Sequence, residues 1–196
     1  MEREHKTKQA IKTAARSLFA KQGYNAVSVR DIADAIGKQP GGIYNHFDAK
    51  QSILFTLMQQ TMERIQIAQN KAFDETVSAK SQLRNFIQTH LSFNIDNPDD
   101  LFLSYMELRS LEGENASDII KLRDDYEAML RTILERGVAS NEFTILNPQI
   151  HARALISMTI GITFWYREGG PRSRQEVLDS YINAALQSVG LQAQPA

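Results

Sequence analysis

Apolar residues recur along almost the whole chain at three- and four-residue intervals, the spacing of one helical face. No stretch sustains the two-residue alternation, rich in β-branched residues, of a half-buried strand. A first helix is expected over about Lys6 to Gln22, with Ile11, Ala14, Ala15, Leu18 and Phe19 inward and Gly23 as its stop. After the connector 24–27, Val29, Ile32, Ala33 and Ile36 share one face of a short helix. A second short helix is expected from near Pro40 through Ile43, Tyr44 and Phe47. A long helix starts near Asp48, carries Ile53, Leu54, Leu57, Met58, Met62 and Ile65, and runs to about Phe73. Further helices are expected over 81–95, 99–111, 117–139, from Pro148 to about Arg167, and over 174–189. Breaks fall at 94–98, at Glu112-Gly113 and at Gly169-Gly-Pro171, and the tail 191–196 is expected to be disordered. The fold class is therefore all-α.

Within this pattern, residues 28–47 read as a helix-turn-helix. Ser28 followed by Asp31 resembles a capping box that opens the first of the two helices. Ala33 is small enough for a second helix to cross close over it. Gly37 can take the positive φ of a tight turn, and Ile43 is the apolar plug between the helices. Pro40 suits a first helical position, where a missing N–H costs little. Gly41 and Gly42 are poor helix formers. At the exposed start of a helix they let the backbone approach phosphate or base edges closely. Such a helix pair is a common way to present a helix to the major groove.

Charge sharpens this reading. The chain is nearly neutral at −1, yet residues 1–50 hold nine basic groups against five acidic ones, net +4. The remainder holds 13 against 18, net −5. A basic first module on an acidic body suits nucleic-acid binding by one end only. Cysteine is absent, which excludes disulfides, thiolate metal sites and cysteine nucleophiles. With no bilayer-length apolar run and no apolar leader near the charged start, a cytoplasmic location is the default expectation.

The order of these parts resembles the TetR family of transcriptional repressors. The resemblance rests on Phe19-Ala-Lys-Gln-Gly-Tyr24, on 27–37, and on Gly41-Gly-Ile-Tyr-Asn-His-Phe-Asp-Ala-Lys-Gln-Ser-Ile-Leu54, about the first quarter of the chain. It implies a DNA-binding domain over 1–50, with 51–196 for ligand binding and dimerisation. It further implies a homodimer on a palindromic double-stranded operator, released by a small molecule. Ser28 would cap its helix and touch phosphate, and Arg30 would contact phosphate or a groove edge. Lys38, Gln39, Gly41 and Gly42 would lie at the leading end of the recognition helix. Tyr44 and His46 would contact the backbone, and Lys50 would clamp another phosphate. The run Gln39-Pro-Gly-Gly42 departs from the Ser/Thr-Lys-Gly-Thr-like run of many members, moving basic charge back to Lys38. Glu107–Leu111, Leu122–Leu130, Gly137–Phe143 and Phe164–Pro171 resemble members that control fatty-acid or steroid breakdown and respond to acyl-CoA thioesters. A drug-like or aromatic ligand, or a protein partner, is the alternative switch.

For the effector, the middle helices supply Met62, Phe86, Leu103, Tyr105, Met106, Arg109, Tyr126, Met129, Phe164 and Trp165 as candidate lining. Methionines and aromatics suit an adaptable cavity and suit a packed core equally. Arg109, between Leu108 and Leu111, is expected to be partly buried and paired with Glu107 or Glu112, or to receive a CoA phosphate. Trp165 fits an interface, a pocket or a core. Ala152, Ala154, Ser157, Gly161, Ala184 and Ala185 are small enough for close helix approach at a two-fold interface. The four histidines are scattered without metal-ligand spacing, and no phosphate-binding glycine loop or Gly-x-Ser-x-Gly elbow occurs. No cofactor, metal or catalysis is expected, and no association with a membrane.

Overall fold

The computed structural model describes residues 2–190; the tail expected to be disordered lies outside them. The described residues form helices α1 (Glu2–Gln22), α2 (Val29–Ala35), α3 (Pro40–Tyr44), α4 (Lys50–Ala72) and α5 (Ala79–Asp96). They continue with α6 (Pro98–Met106), a 3₁₀ turn at Leu108–Ser110, α7 (Gly113–Ala139), α8 (Pro148–Ile160), α9 (Ile162–Trp165) and α10 (Arg174–Ser188). The all-α expectation holds, and most boundaries fall within a few residues of those the periodicity gives.

Three expected helices are shorter than the pattern suggested, and the first of them, α3, ends at Tyr44 rather than running through Phe47. The segment from Pro148 stops at Ile160 and restarts after Gly161. Thr159 Oγ1 bonds the carbonyls of Leu155 and Ile156, and Thr163 Oγ1 bonds that of Ile160. Hydroxyls on helix carbonyls compete with the backbone ladder, and Gly161 is the weakest helix former in the run. The segment 99–111 ends its α-helix at Met106. There Glu107 takes φ −102, ψ 5 and the chain tightens into the 3₁₀ turn.

The chain divides into two compact units. The first runs to Glu63 and takes in Pro98–Leu122, so it reaches beyond the 1–50 span of the helix-turn-helix module. Its core packs Ile11, Ala15, Phe19, Val27, Ile32, Ala33, Ile43 and Phe47 with Ile53, Leu54, Leu57 and Met58, and with Leu103, Leu111 and Ile119. The later segment joins because α6 packs on α1. An ion pair reinforces that contact: Arg16 Nε lies 2.5 Å from Oδ1 of the buried Asp100.

The second unit comprises Arg64–Asn97 and the chain from Arg123. Here α10 lies along α5, burying Val177, Leu178, Ile182, Ala185 and Leu186 on one side and Leu83, Ile87 and Leu91 on the other. Gly137 is required by close approach: a Cβ there would stand 2.0 Å from the Phe143 ring. Among the described residues no helix is long and apolar enough to cross a membrane.

Candidate nucleic-acid interface and ligand cavity

The helix-turn-helix is assembled by local chemistry first. The Ser28 N–H and hydroxyl each donate to Asp31 Oδ2 at 2.7 Å, and the Asp31 N–H returns a bond to Ser28 Oγ at 3.2 Å. This is the full capping box. The bonds from Ser28 hold the Asp31 carboxyl below its ordinary pKa. At the other end of α2, Gly37 adopts φ +64, and the Lys38 N–H turns back to Ala33 O at 2.9 Å. Ala33 and Ile43 are buried at the α2–α3 crossing, as their size and shape suggested.

The residues left outside this crossing are the polar ones. Ser28, Arg30, Lys38, Gln39, Gly41 and Tyr44 are exposed, while Gly42, His46 and Lys50 are half-buried. Arg30 is loosely paired with Asp34 at 3.9 Å. Gln39 caps α3 only through its backbone, and Pro40 stands at its start. A Cβ added at Gly41 or Gly42 would meet nothing within 4 Å, and neither takes a positive φ. The fold itself therefore gives no reason for two glycines in a five-residue helix.

Lys50 is placed differently from the phosphate clamp expected of it. Its ammonium donates to Tyr24 O at 2.9 Å and Val27 O at 2.8 Å, and lies 4.0 Å above the Tyr24 ring. Burial lowers its pKa, with the charge of Glu107 acting in the opposite sense. Two of its three N–H bonds thus tie the start of α4 to the α1–α2 connector. Glu107 completes the tie from the other side, accepting from the Tyr24 N–H at 3.0 Å and from Ser110 at 2.8 Å. No local spacing in the sequence marks Glu107 for this role. His5 and Lys8 border a recess with Glu4, Asn45 and His46, and Lys8 lies 5.2 Å over the Phe47 ring. The only sign of them in the sequence is the basic character of the first helix.

The ten candidate effector residues separate. Met62, Leu103, Tyr105, Met106 and Arg109 belong to the first unit, where Met62 and Leu103 are buried. Arg109 is exposed on the 3₁₀ turn, which corrects the expectation of a partly buried guanidinium. A short 3₁₀ segment turns that side chain outward, and Glu107 spends its carboxylate on Tyr24 and Ser110. In the second unit, Phe86 and Met129 line a cavity of about 230 Å³ together with Gln69, Asn70, Ala72, Phe73, Asp74, Gln82, Thr132 and Ile133. Tyr126 is buried and bonded to Gln69 and His90. Phe164 and Trp165 are instead 61% and 49% exposed; the break at Gly161 leaves them on the short α9, and they are not among the residues lining that cavity. Of the small residues, Ala152 and Ala185 are buried in the unit, while Ala154, Ser157 and Ala184 are exposed.

Two family models match the chain, and the second spans residues 98–122, which the structure groups with the first unit. Residues 11–57 match the family described as bacterial regulatory proteins, tetR family, and residues 76–189 match the tetracyclin repressor-like C-terminal domain. The HTH-type transcriptional repressor KstR2 of Rhodococcus jostii is 26% identical over 175 residues, covering 88% of this chain and 85% of its own. The crystal structure of the TetR family regulator PfmR from Thermus thermophilus superposes with a TM-score of 0.82 at 33% identity. It covers 93% of this chain and 99% of that one. AibR in complex with isovaleryl coenzyme A and operator DNA has the same fold, with a TM-score of 0.83 at 19% identity over 90% of this chain and 96% of that one.

Proposed function

Since the chain belongs to the TetR family and is a TetR-type transcriptional repressor, we propose that it binds a palindromic operator as a homodimer and is released by an acyl-CoA thioester. The observation that carries the DNA-binding part is the α2–α3 pair, with its polar face outward and two glycines that the fold does not require. In this reading Ser28, Arg30, Lys38, Gln39, Gly41, Gly42, Tyr44 and His46 meet the operator, with side chains on phosphate oxygens and α3 at the base edges. Lys50 acts mainly by holding the connector that presents α2.

The homodimer is supported by large apolar side chains left in the open on the second unit. Ile150, Phe164 and Trp165 are exposed on α8 and α9, beside the exposed small residues Ala154 and Ser157. An exposed apolar patch of this kind suits a two-fold interface. The effector class is supported by the apolar-walled cavity and by the coenzyme A thioester bound to AibR. One helix, α4, has Lys50 at its start and Gln69, Asn70 and Ala72 at the cavity near its end. A ligand that tilts α4 would move the connector held by Lys50 and spoil the roughly 34–36 Å half-site spacing that a dimer needs. Release then follows from the ligand binding one conformation better than the other.

The test is a gel-shift titration on the DNA upstream of the protein's own gene, challenged with acyl-CoAs of increasing chain length. Release at low ligand concentration is the expected result. A complex that persists through the series overturns the acyl-CoA assignment.

A further inference from the structure

The interior of the second unit holds a buried polar cluster around His90. Gln69 Nε2 donates to Phe86 O at 3.0 Å and to the Tyr126 hydroxyl at 3.1 Å, and that hydroxyl lies 2.6 Å from His90 Nδ1. The rings of Phe86, His90 and Tyr126 pack on one another, with centroids 5.4 to 6.3 Å apart. His90 and Asn94 stand one turn apart on α5, each 1% exposed. Among the described residues, neither His90 Nε2 nor Asn94 Nδ2 has a hydrogen-bond partner. Buried polar atoms are almost always bonded, so two orphans side by side call for an explanation.

We propose that the His90 and Asn94 side chains together hold one carbonyl oxygen carried on the apolar body of the effector, making the repressor selective for an oxo compound over the matching hydrocarbon. The proposal rests on the reading of the second unit as the effector domain. The protonation pattern favours it. Burial pushes the His90 pKa down to about 4, so near neutral pH the ring is uncharged and carries one proton. In the proposed site Nδ1 accepts from the Tyr126 hydroxyl, the tautomer that carries the imidazole proton on Nε2. Nε2–H and the Asn94 amide are then two unmet donors, and a carbonyl oxygen has two lone pairs to receive them. A carboxylate is disfavoured, since the cluster contains no cation to offset its burial.

The cavity lies next to this cluster along α5, and His90 and Asn94 are not among its lining residues. Gln82 and Phe86 form part of the cavity wall. His90 and Asn94 continue the same face of α5, about 6 and 12 Å beyond Phe86 along the axis. The cavity of about 230 Å³ falls below the ~300–1,000 Å³ of sites for drug-sized ligands, so it suits a compact apolar body. Phe86 lines the cavity and packs on His90, and its ring must turn aside as the oxygen enters.

Matched probes test this directly: 4-tert-butylcyclohexanone and tert-butylcyclohexane, titrated separately into the full-length protein carrying ¹⁵N-labelled histidine. The ketone is expected to bind about tenfold or more tightly than the hydrocarbon and to shift the His90 Nε2–H resonance. Asn94→Leu is expected to reduce that preference to less than about threefold. Equal binding of the two probes, ketone binding that leaves the His90 resonance in place, or no binding of either overturns the proposal. If Asn94→Leu does not fold, the resonance in the wild-type protein decides. Both readouts use the free protein, so they are independent of operator release. A ketone that binds as expected while the operator complex survives every effector would overturn the effector-domain reading. Release by an acyl-CoA with no ketone preference would overturn only the carbonyl site.

Discussion

Lys50 shows how far a residue's role depends on neighbours that are distant in sequence. The basic residue after Phe47-Asp-Ala fits a phosphate clamp in the linear pattern. In three dimensions its ammonium is taken up by the carbonyls of Tyr24 and Val27 and by the Tyr24 ring. Lys50→Gln is expected to cost about 1–3 kcal/mol in urea unfolding, the usual loss for charge-assisted bonds. It should also weaken operator binding, because the connector loosens. The salt dependence of binding separates the two roles. If Lys50 positions the connector, the slope of log K against log salt stays as in the wild type. A slope reduced in magnitude by about 0.9 would return Lys50 to a phosphate. Ser28 and Asp31 were legible in the sequence because their bonds span three residues. The bond from Tyr24 to Glu107 spans 83 residues, and no local spacing announces it.

At the scale of elements, periodicity located the helices well and their interruptions poorly. A break depends on carbonyls taken by Thr159 and Thr163 and on the turn at Glu107, which leave the apolar spacing unchanged. The crossing of α2 and α3 was legible because Ala33, Gly37 and Ile43 each have a steric reason to be there. Nothing inside the protein gives such a reason for Gly41 and Gly42, which makes α3 the element to test. Gly41→Ala adds a Cβ that meets nothing within 4 Å and removes a poor helix former. The free protein should therefore be unchanged or more stable by up to about 1 kcal/mol. Operator affinity should nevertheless fall, because the added methyl stands where the DNA backbone or a base edge must approach. Thermal unfolding and a binding isotherm on the same preparation check both halves. Affinity that is unchanged or improved sinks the close-approach reading of this helix.

At the scale of the molecule, helical periodicity says which face of a helix is buried but not which helix covers it. That is why residues 98–122 were not foreseen as part of the unit that carries the helix-turn-helix, and why five of the ten effector candidates fall outside the unit that holds the cavity. The same logic gives Phe164 and Trp165 a different use. Both were candidates for a ligand, yet an aromatic that is about half exposed on a short helix leaves much of its apolar surface in water. Covering that surface with a second copy of the chain recovers roughly 25 cal/mol for each Å² removed from water. The double substitution Phe164→Glu, Trp165→Glu places carboxylates on the patch, and a two-fold interface would bury each of them twice, once from each copy. Sedimentation should then show monomers at concentrations where the wild type is dimeric. Operator affinity should collapse to that of a single half-site, while the helical content of the protein stays intact. Variants that remain dimeric and keep full affinity would move the interface away from α9. The two aromatics would then need another reason to stand in solvent.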